Sequence, residues 1–217
     1  MTETLLRSGV GGFLRFGGGR PNLMKVVLMI DGGHLRVGAA KAGKTYDPAF
    51  IEAFAHKCID PSESLQRILY YDCPQYRGQH PLPVSGVMKN FTASDRWLDD
   101  LASKDLFAVR RGTLAFRGWV PKNIPISSRP LTDADFSPNF EQKGVDMRIG
   151  LDIATISAGG RIERIILVSG DTDLIPAMKH ARKTSLQVAL VQMPSPMSSP
   201  STRLLAHADH RRVVAWP

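Results

Sequence analysis

RIILVSGDTDLIPAMKHARK, residues 164–183, passes from an apolar run through a polar turn into a basic amphipathic run. RIILV (164–168) is continuously apolar after its first residue, as expected of a strand covered on both faces. DLIPAMKHARK (173–183) reads as a helix, with Pro176 tolerated in its first turn. Between them Asp171 and Asp173 stand one residue apart. A helix start explains both, Asp171 as the cap and Asp173 as a charge favoured by the helix dipole. A divalent cation explains them differently, by removing the repulsion between like charges held this close.

The rest of the chain repeats the strand-to-helix rhythm. KVVLMI (25–30) and LQRILYY (65–71) read as buried strands, and LQVALVQM (186–193) as the last of them. Helices are expected near 33–42, at 48–58 behind the Asp47-Pro48 start signal, at 96–104 and at 143–158. Residues 74–90, rich in Pro and Gly, predict a loop or irregular insertion ending in a short helix. LFAVRRGTLAFRGWV (106–120) predicts a hairpin turning at Arg111-Gly112, followed by a long loop over 121–140. LLAHADH reads as a short helix and RRVVAW as an edge strand. Alternation of this kind implies a three-layer α/β/α fold with a mainly parallel central sheet. The expected organisation is a flexible Gly/Arg-rich tail over 1–23 and a single domain over 24–217.

Composition narrows the classes. At 217 residues, 43% apolar and 22% charged, the chain can bury one sizeable core. No apolar run approaches a membrane span, and the first twenty residues lack the apolar centre of a secretory signal. Cys58 and Cys73 have neither zinc spacing nor disulfide density, which points to a reducing cytoplasm. The charge of +8 suits a polyanion such as nucleic acid, although solubility alone explains the same imbalance. Arg110, Arg111, Arg117 and Lys122 crowd one segment with Phe116 and Trp119, and are the candidate nucleic-acid-binding residues. Ordinary hairpin packing accounts for the same pattern. Lys179, Arg182 and Lys183 form a second basic cluster.

In parallel sheets, sites form beyond the carboxyl ends of the strands, near the point where strand order reverses. Asp31 ends the first strand in MIDGGH, Asp171 and Asp173 follow RIILV, and Asp146 falls in the first turn of the 143–158 helix. Each alone is a cap or a turn residue. Together they form a candidate oxygen-donor set for Mg²⁺ or Mn²⁺, able to bind a phosphodiester oxygen and acidify an attacking water. Lys143 precedes the helix and either contacts phosphate or faces solvent. Ser169 and Thr172 either position water or cap the turn. Asp152 lies six residues past Asp146, about 240° around the helix, and reads as structural.

MIDGGHL, FEQKGVDMRIGLDIA and ILVSGDTDLIPAMKHARK, in this order, resemble the NYN domain family of the PIN-like nuclease superfamily, from about Met24 to Val191. The resemblance implies a PIN-like α/β fold and a metal-dependent ribonuclease site built on Asp31, Asp146, Asp171 and Asp173. His34 departs from the pattern, since the family usually carries Asn there. A His can donate a hydrogen bond, orient water or reach the scissile phosphate, yet it is not equivalent. The expectation is therefore an endoribonuclease, with an RNA-binding or regulatory module of impaired activity as the alternative. RNA is the expected partner, DNA is not excluded, and a homodimer is left open. A haloacid-dehalogenase-type phosphatase is disfavoured because Gly33 stands where its second Asp would be.

Overall fold

The structure is a computed structural model that describes residues 23–126 and 129–217. The tail expected over 1–23 lies almost wholly outside the described residues. Among the described residues ten strands and six α-helices follow in chain order, beginning with β1 (Met24–Asp31), α1 (Gly32–Lys41), α2 (Pro48–Lys57), β2 (Glu63–Asp72), β3 (Arg77–Pro81) and β4 (Met88–Thr92). Then come α3 (Arg96–Ala102), β5 (Phe107–Arg111), β6 (Thr113–Pro121), β7 (Phe136–Lys143), α4 (Val145–Gly159) and β8 (Arg164–Val168). The chain closes with α5 (Ile175–Lys183), β9 (Gln187–Gln192), α6 (Thr202–Leu205) and β10 (His210–Val213).

Six strands form one sheet in the order β10-β9-β8-β1-β2-β5, and every pair within it is parallel. Alternate residues of each strand feed two separate cores. Val26, Leu28, Ile30, Ile68 and Tyr70 meet α1, α2 and α3 through Leu35, Ile51, Phe54, Leu98 and Leu101. Val27, Met29, Tyr71, Ile165 and Leu167 meet α4 and α5 through Ile149, Ile153, Ile175 and Met178. Both faces are dry, which is why the strand sequences read as unbroken apolar runs. This is the three-layer α/β/α arrangement. The Asp47 side chain caps α2 by accepting from the Phe50 N–H at 2.8 Å, as the Asp47-Pro48 pair implied. Among the described residues no helix is long and apolar enough to cross a membrane.

The sequence reading departs from the structure within residues 74–143, although the helix expected at 96–104 is present as α3. The expected loop and short helix over 74–90 are instead the antiparallel pair β3–β4. The expected hairpin over 106–120 does not form. β5 joins the main sheet beside β2, and β6 leaves it to pair with β7. Gly112 marks the crossing, where an added Cβ would lie 2.8 Å from the Lys143 carbonyl oxygen and 2.9 Å from Cys73 Sγ. The loop expected over 121–140 is shorter, because Phe136–Lys143 is strand. Its Pro138 is opposite Trp119 beside a register shift, a place where a missing N–H is tolerated. The two hairpins share one aromatic cluster of Tyr76, His80, Phe91, Phe116, Trp119 and Phe140.

At the opposite end of the sheet from Asp31, Glu63 opens β2 with its carboxylate fully buried. Arg212 grips both its oxygens at 2.7 and 2.6 Å, and Arg164 adds a third bond at 2.6 Å. Burial alone would raise this carboxyl, but the bonds from Arg212, the Asp60 N–H and Arg164 outweigh it and hold it below the usual range. A depressed carboxyl stabilises the fold above its unfolded pKa and loses that contribution as pH falls through its folded value. Glu63→Ala leaves two guanidinium groups without their partner and should cost about 3–5 kcal/mol. Urea unfolding at pH 7 checks this, and the difference from the parent should shrink on acidification below about pH 4.

Candidate functional site

The sheet order reverses at β1: the chain runs from β1 to β2 and β5 on one side, then returns to β8, β9 and β10 on the other. Asp31 closes β1, and Ser169 and Asp171 follow β8, so the crevice between the two strand ends collects them. Local chemistry fixes their orientation. Asp31 is the N-cap of α1 and accepts from the His34 N–H at 3.0 Å through Oδ1. Its Oδ2 accepts from the Ser169 hydroxyl at 3.2 Å. Ser169 Oγ in turn accepts from the Asp171 N–H at 3.1 Å. Asp171 caps the short 3-10 turn Thr172–Leu174, accepting from the Asp173 N–H at 2.8 Å. The SGDTD turn thus is a cap and an acidic wall at once. Gly170 leaves room for the His34 ring beside it, since a Cβ there would lie 2.7 Å from His34 Cε1 and push the ring aside.

Asp31, His34, Gln142, Asp146 and Asp171 line a single open pocket of about 320 Å³. Asp146 reaches it from the first turn of α4, and Gln142 from the end of β7. Asp173 is exposed outside that lining, although its charge is felt at Asp146. Thr172 sits in the 3-10 turn, and Lys143 is the exposed last residue of β7. Arg110 is level with Asp31 across the sheet, through the pairs Asp31–Tyr71 and Tyr71–Arg110. Its guanidinium bonds Asp152 at 3.0 Å, and Asp152 also accepts from the Tyr71 hydroxyl at 2.8 Å, which is the structural role expected of it. Arg111 pairs with Asp99 and Arg117 with Glu141, while Lys122 is exposed immediately after β6.

The pocket is electrostatically tense. Burial pushes the Asp31 carboxyl above its usual value against the lowering bonds from His34 and Ser169, and the charge of Asp72 adds to the rise. Burial also raises Asp146, with Asp171, Asp31 and Asp173 contributing repulsion. His34 is pushed down by burial, with Asp31 opposing, so its ring is neutral at pH 7. Oxygen donors under mutual repulsion fit a hard divalent cation in kind. In arrangement they remain open: among the described residues no three His, Cys, Asp or Glu side chains are drawn together tightly enough to hold a metal ion.

One acidic residue escaped the sequence reading. Asp72 closes β2 as Asp31 closes β1, and the same strand-end rule applied to LQRILYYD would have found it. Its carboxylate is fully buried, salt-bridged to Arg36, and accepts from the Tyr70 hydroxyl at 2.9 Å and the Cys73 N–H at 2.7 Å. Gln142 Nε2 donates to it at 3.3 Å. Gln142 was not singled out: it lies in FEQKGVDMRIGLDIA, just past the loop expected over 121–140, and carries no charge.

A three-layer α/β/α fold with acidic side chains collected at its switch point is the architecture of PIN-like nucleases. A family model for the NYN domain matches residues 70–213, and the chain belongs to that family, within the PIN-like nuclease superfamily. NYN domains are generally nucleases, so the chain is a nuclease-like module. MIDGGH precedes the matched span, and its place beside β8 is given by the strand pairing. The crystal structure of VPA0982, a protein of unknown function from Vibrio parahaemolyticus, is similar with a TM-score of 0.51 at 15% identity. That likeness covers 88% of this chain and 93% of the other, and it shows the fold. No curated protein matches the chain.

The repulsion at Asp146 has a measurable sign. A raised carboxyl binds its proton more tightly in the folded state, so the parent loses stability as pH rises through the folded pKa and carries the penalty above it. Asp146→Asn should therefore raise the melting temperature at pH 7 in metal-free, low-salt buffer. The gain should vanish below about pH 4, where both states are protonated. Thermal scans across pH check both limits.

Proposed function

We propose that this protein is a metal-dependent endoribonuclease, working in the cytoplasm, that hydrolyses RNA phosphodiester bonds at the Asp31–Asp146–Asp171 pocket. The observation that carries the reading is the convergence of these three carboxylates, from three separate elements, on one pocket in a chain of net charge +8. Asp31, Asp146 and Asp171 would hold Mg²⁺ or Mn²⁺, with Asp173 at the rim. A bound divalent ion supplies positive charge to the phosphodiester oxygens and lowers the pKa of an attacking water.

The chain's own residues define the rest. Ser169 and the His34 N–H anchor Asp31, so its carboxylate stays fixed when the site fills. The neutral His34 ring, backed by Gly170, can donate to a phosphate oxygen or hold the water through its other nitrogen. Four aspartates repel a polyanion, so cations must flank the pocket along the strand's path. Arg110, Arg111 and Arg117 are in ion pairs that are largely exposed, and exposed pairs contribute little and exchange readily for phosphate.

The open carboxylate arrangement and the His34 departure favour one second reading, an RNA-binding or regulatory module of weak activity. Cleavage of defined RNA and DNA with Mg²⁺, with Mn²⁺ and with EDTA separates the two. On the enzyme reading, RNA is cut only with metal. Asp171→Asn lowers the rate by more than the roughly 10–100-fold that outer partners of a metal site are worth. RNA bound but left intact under every condition favours the second reading. Arg111→Ala and Arg117→Ala should each flatten the salt dependence of RNA binding by about one unit of slope. Unchanged slopes would move the RNA path to the Lys179, Arg182 and Lys183 cluster.

A further inference from the structure

A second cleft, of about 310 Å³, opens beside the acidic pocket and is lined by Arg36, Tyr46, Cys73, Gln75 and Trp97. The two clefts flank one buried group. Gln142 lines the acidic pocket and Arg36 lines the second cleft, and both bond Asp72. We propose that the second cleft is a nucleotide subsite that takes the base and phosphate of the single-stranded residue adjoining the scissile bond. This inference rests on the nucleic-acid reading of the acidic pocket and adds where the neighbouring nucleotide is held.

Three features make the cleft suited to that ligand. The first is composition: two aromatic side chains and a guanidinium are the groups that stack on bases and grip phosphate. A cavity of this size is at the lower end of the roughly 300–1,000 Å³ typical of small-molecule sites, enough for a single nucleotide.

The second feature is the state of Arg36. Its partner Asp72 is 0% exposed, yet the Arg36 side chain remains 44% exposed. Asp72 engages Nη2, and Arg36 at the same time lines the cleft. A guanidinium held from behind by a buried carboxylate is oriented without being consumed. Its fork can then meet a phosphate at little further entropic cost.

The third feature is rigidity. The Tyr46 hydroxyl is 2.6 Å from the Tyr70 hydroxyl and 3.2 Å from the Gly32 carbonyl oxygen. Trp97 lies edge-on to both rings, with centroids 6.3 Å from Tyr46 and 6.2 Å from Tyr70. Arg36 sits over the Tyr46 ring at 5.9 Å. The platform is therefore built before any ligand arrives, and it is joined through Gly32 to the turn that carries Asp31.

The competing account is that Trp97 and Tyr46 merely pad the edge of the core, against which both pack. The test uses the full chain in EDTA, so that binding is read without cleavage. A single-stranded RNA hexamer containing 4-thiouridine is photo-crosslinked and the attachment sites are mapped by peptide mass. The proposal expects crosslinks at Tyr46, Cys73 or Trp97. Gln75→Glu adds a negative charge to the cleft at an exposed side chain, while the backbone bond from its N–H to Asp95 at 2.9 Å is kept. It should raise the hexamer Kd several-fold and leave the melting temperature unchanged. Trp97→Ala should weaken binding by between roughly fivefold and a hundredfold, and Trp97→Phe should recover most of it. Crosslinks confined to other surfaces, or a Gln75→Glu Kd equal to the parent's, overturn the subsite. The outcomes stay separable from the nuclease assignment. Crosslinks in the cleft without metal-dependent cleavage overturn the enzyme and keep the subsite. Cleavage with a KM untouched by Gln75→Glu does the reverse.

Discussion

The Asp31 carboxylate, accepting from the His34 N–H on one oxygen and from the Ser169 hydroxyl on the other, joins β1, α1 and the β8 turn. Without it the N-terminus of α1 loses its cap and the two strand ends at the switch point lose their only described side-chain link. The Ser169 oxygen then passes the connection on to the Asp171 backbone, which positions the next carboxylate. Geometry and charge are thus set by the same atoms. A helix cap favours a negative group where backbone N–H dipoles converge, so an aspartate can be kept ionised there without a cationic side chain beside it. That leaves its charge available to a ligand.

Asp72 shows the opposite solution one strand away. Both residues end parallel strands, Asp72 fully buried and Asp31 half-buried at the open pocket. Asp72 has the Arg36 guanidinium, the Tyr70 hydroxyl and two N–H donors around it. Asp31 has only dipoles, and burial accordingly pushes its carboxyl upward. A buried carboxylate with a guanidinium partner is electrically closed, and removing either member is costly. One with dipoles alone is open to a cation. The same sheet edge therefore carries one acidic residue that holds structure and a neighbouring group of them that can do chemistry. Arg36 stands at the border between the two.

Most of the main sheet was readable because its physics is local. Dry parallel strands produce runs such as IILV and VVLMI, and Asp47-Pro48 announces a helix start without reference to anything distant. Asp31, Asp146 and Asp171, which line one pocket, could be singled out because strand ends and helix starts are themselves local features. The strand pairing within residues 74–143 was not readable for the converse reason. β5 and β6 are consecutive, with only Gly112 between them, yet they pair with different partners, β2 and β7. Gly112 lets the chain pass close to Lys143 and Cys73, residues distant in sequence, so no local signal marks that it crosses instead of turning back. Half-exposed strands such as β3, with Gly78 and Pro81 inside them, also carry too weak an apolar period to be told from loop. Asp72 was missed although its position obeys the rule that found Asp31. Asp173 was taken together with Asp171 from the SGDTD turn, and it is exposed outside the pocket lining.

The unread region bears on the site in a way that its distance in sequence conceals. A two-stranded sheet is marginal alone, and β3–β4 and β6–β7 are two of them. They stabilise each other through the shared aromatic cluster. The Trp119 indole N–H also donates to the Pro81 carbonyl oxygen at 2.8 Å, and Asp133 accepts from the Val84 and Ser85 N–H groups at 2.9 and 3.1 Å. The pair of hairpins therefore behaves as a small body with its own core. Its contact with the acidic pocket runs through the end of β7, where Gln142 spans from the rim beside Gly33 to the buried Asp72. Gln142 is one wall of the pocket that Asp31 and Asp146 also line. α4 begins two residues after β7 ends, and Gly144 between them has a φ of 78° that few other residues accept. The aromatic insertion is thus joined through a single residue to the helix that carries one of the three carboxylates.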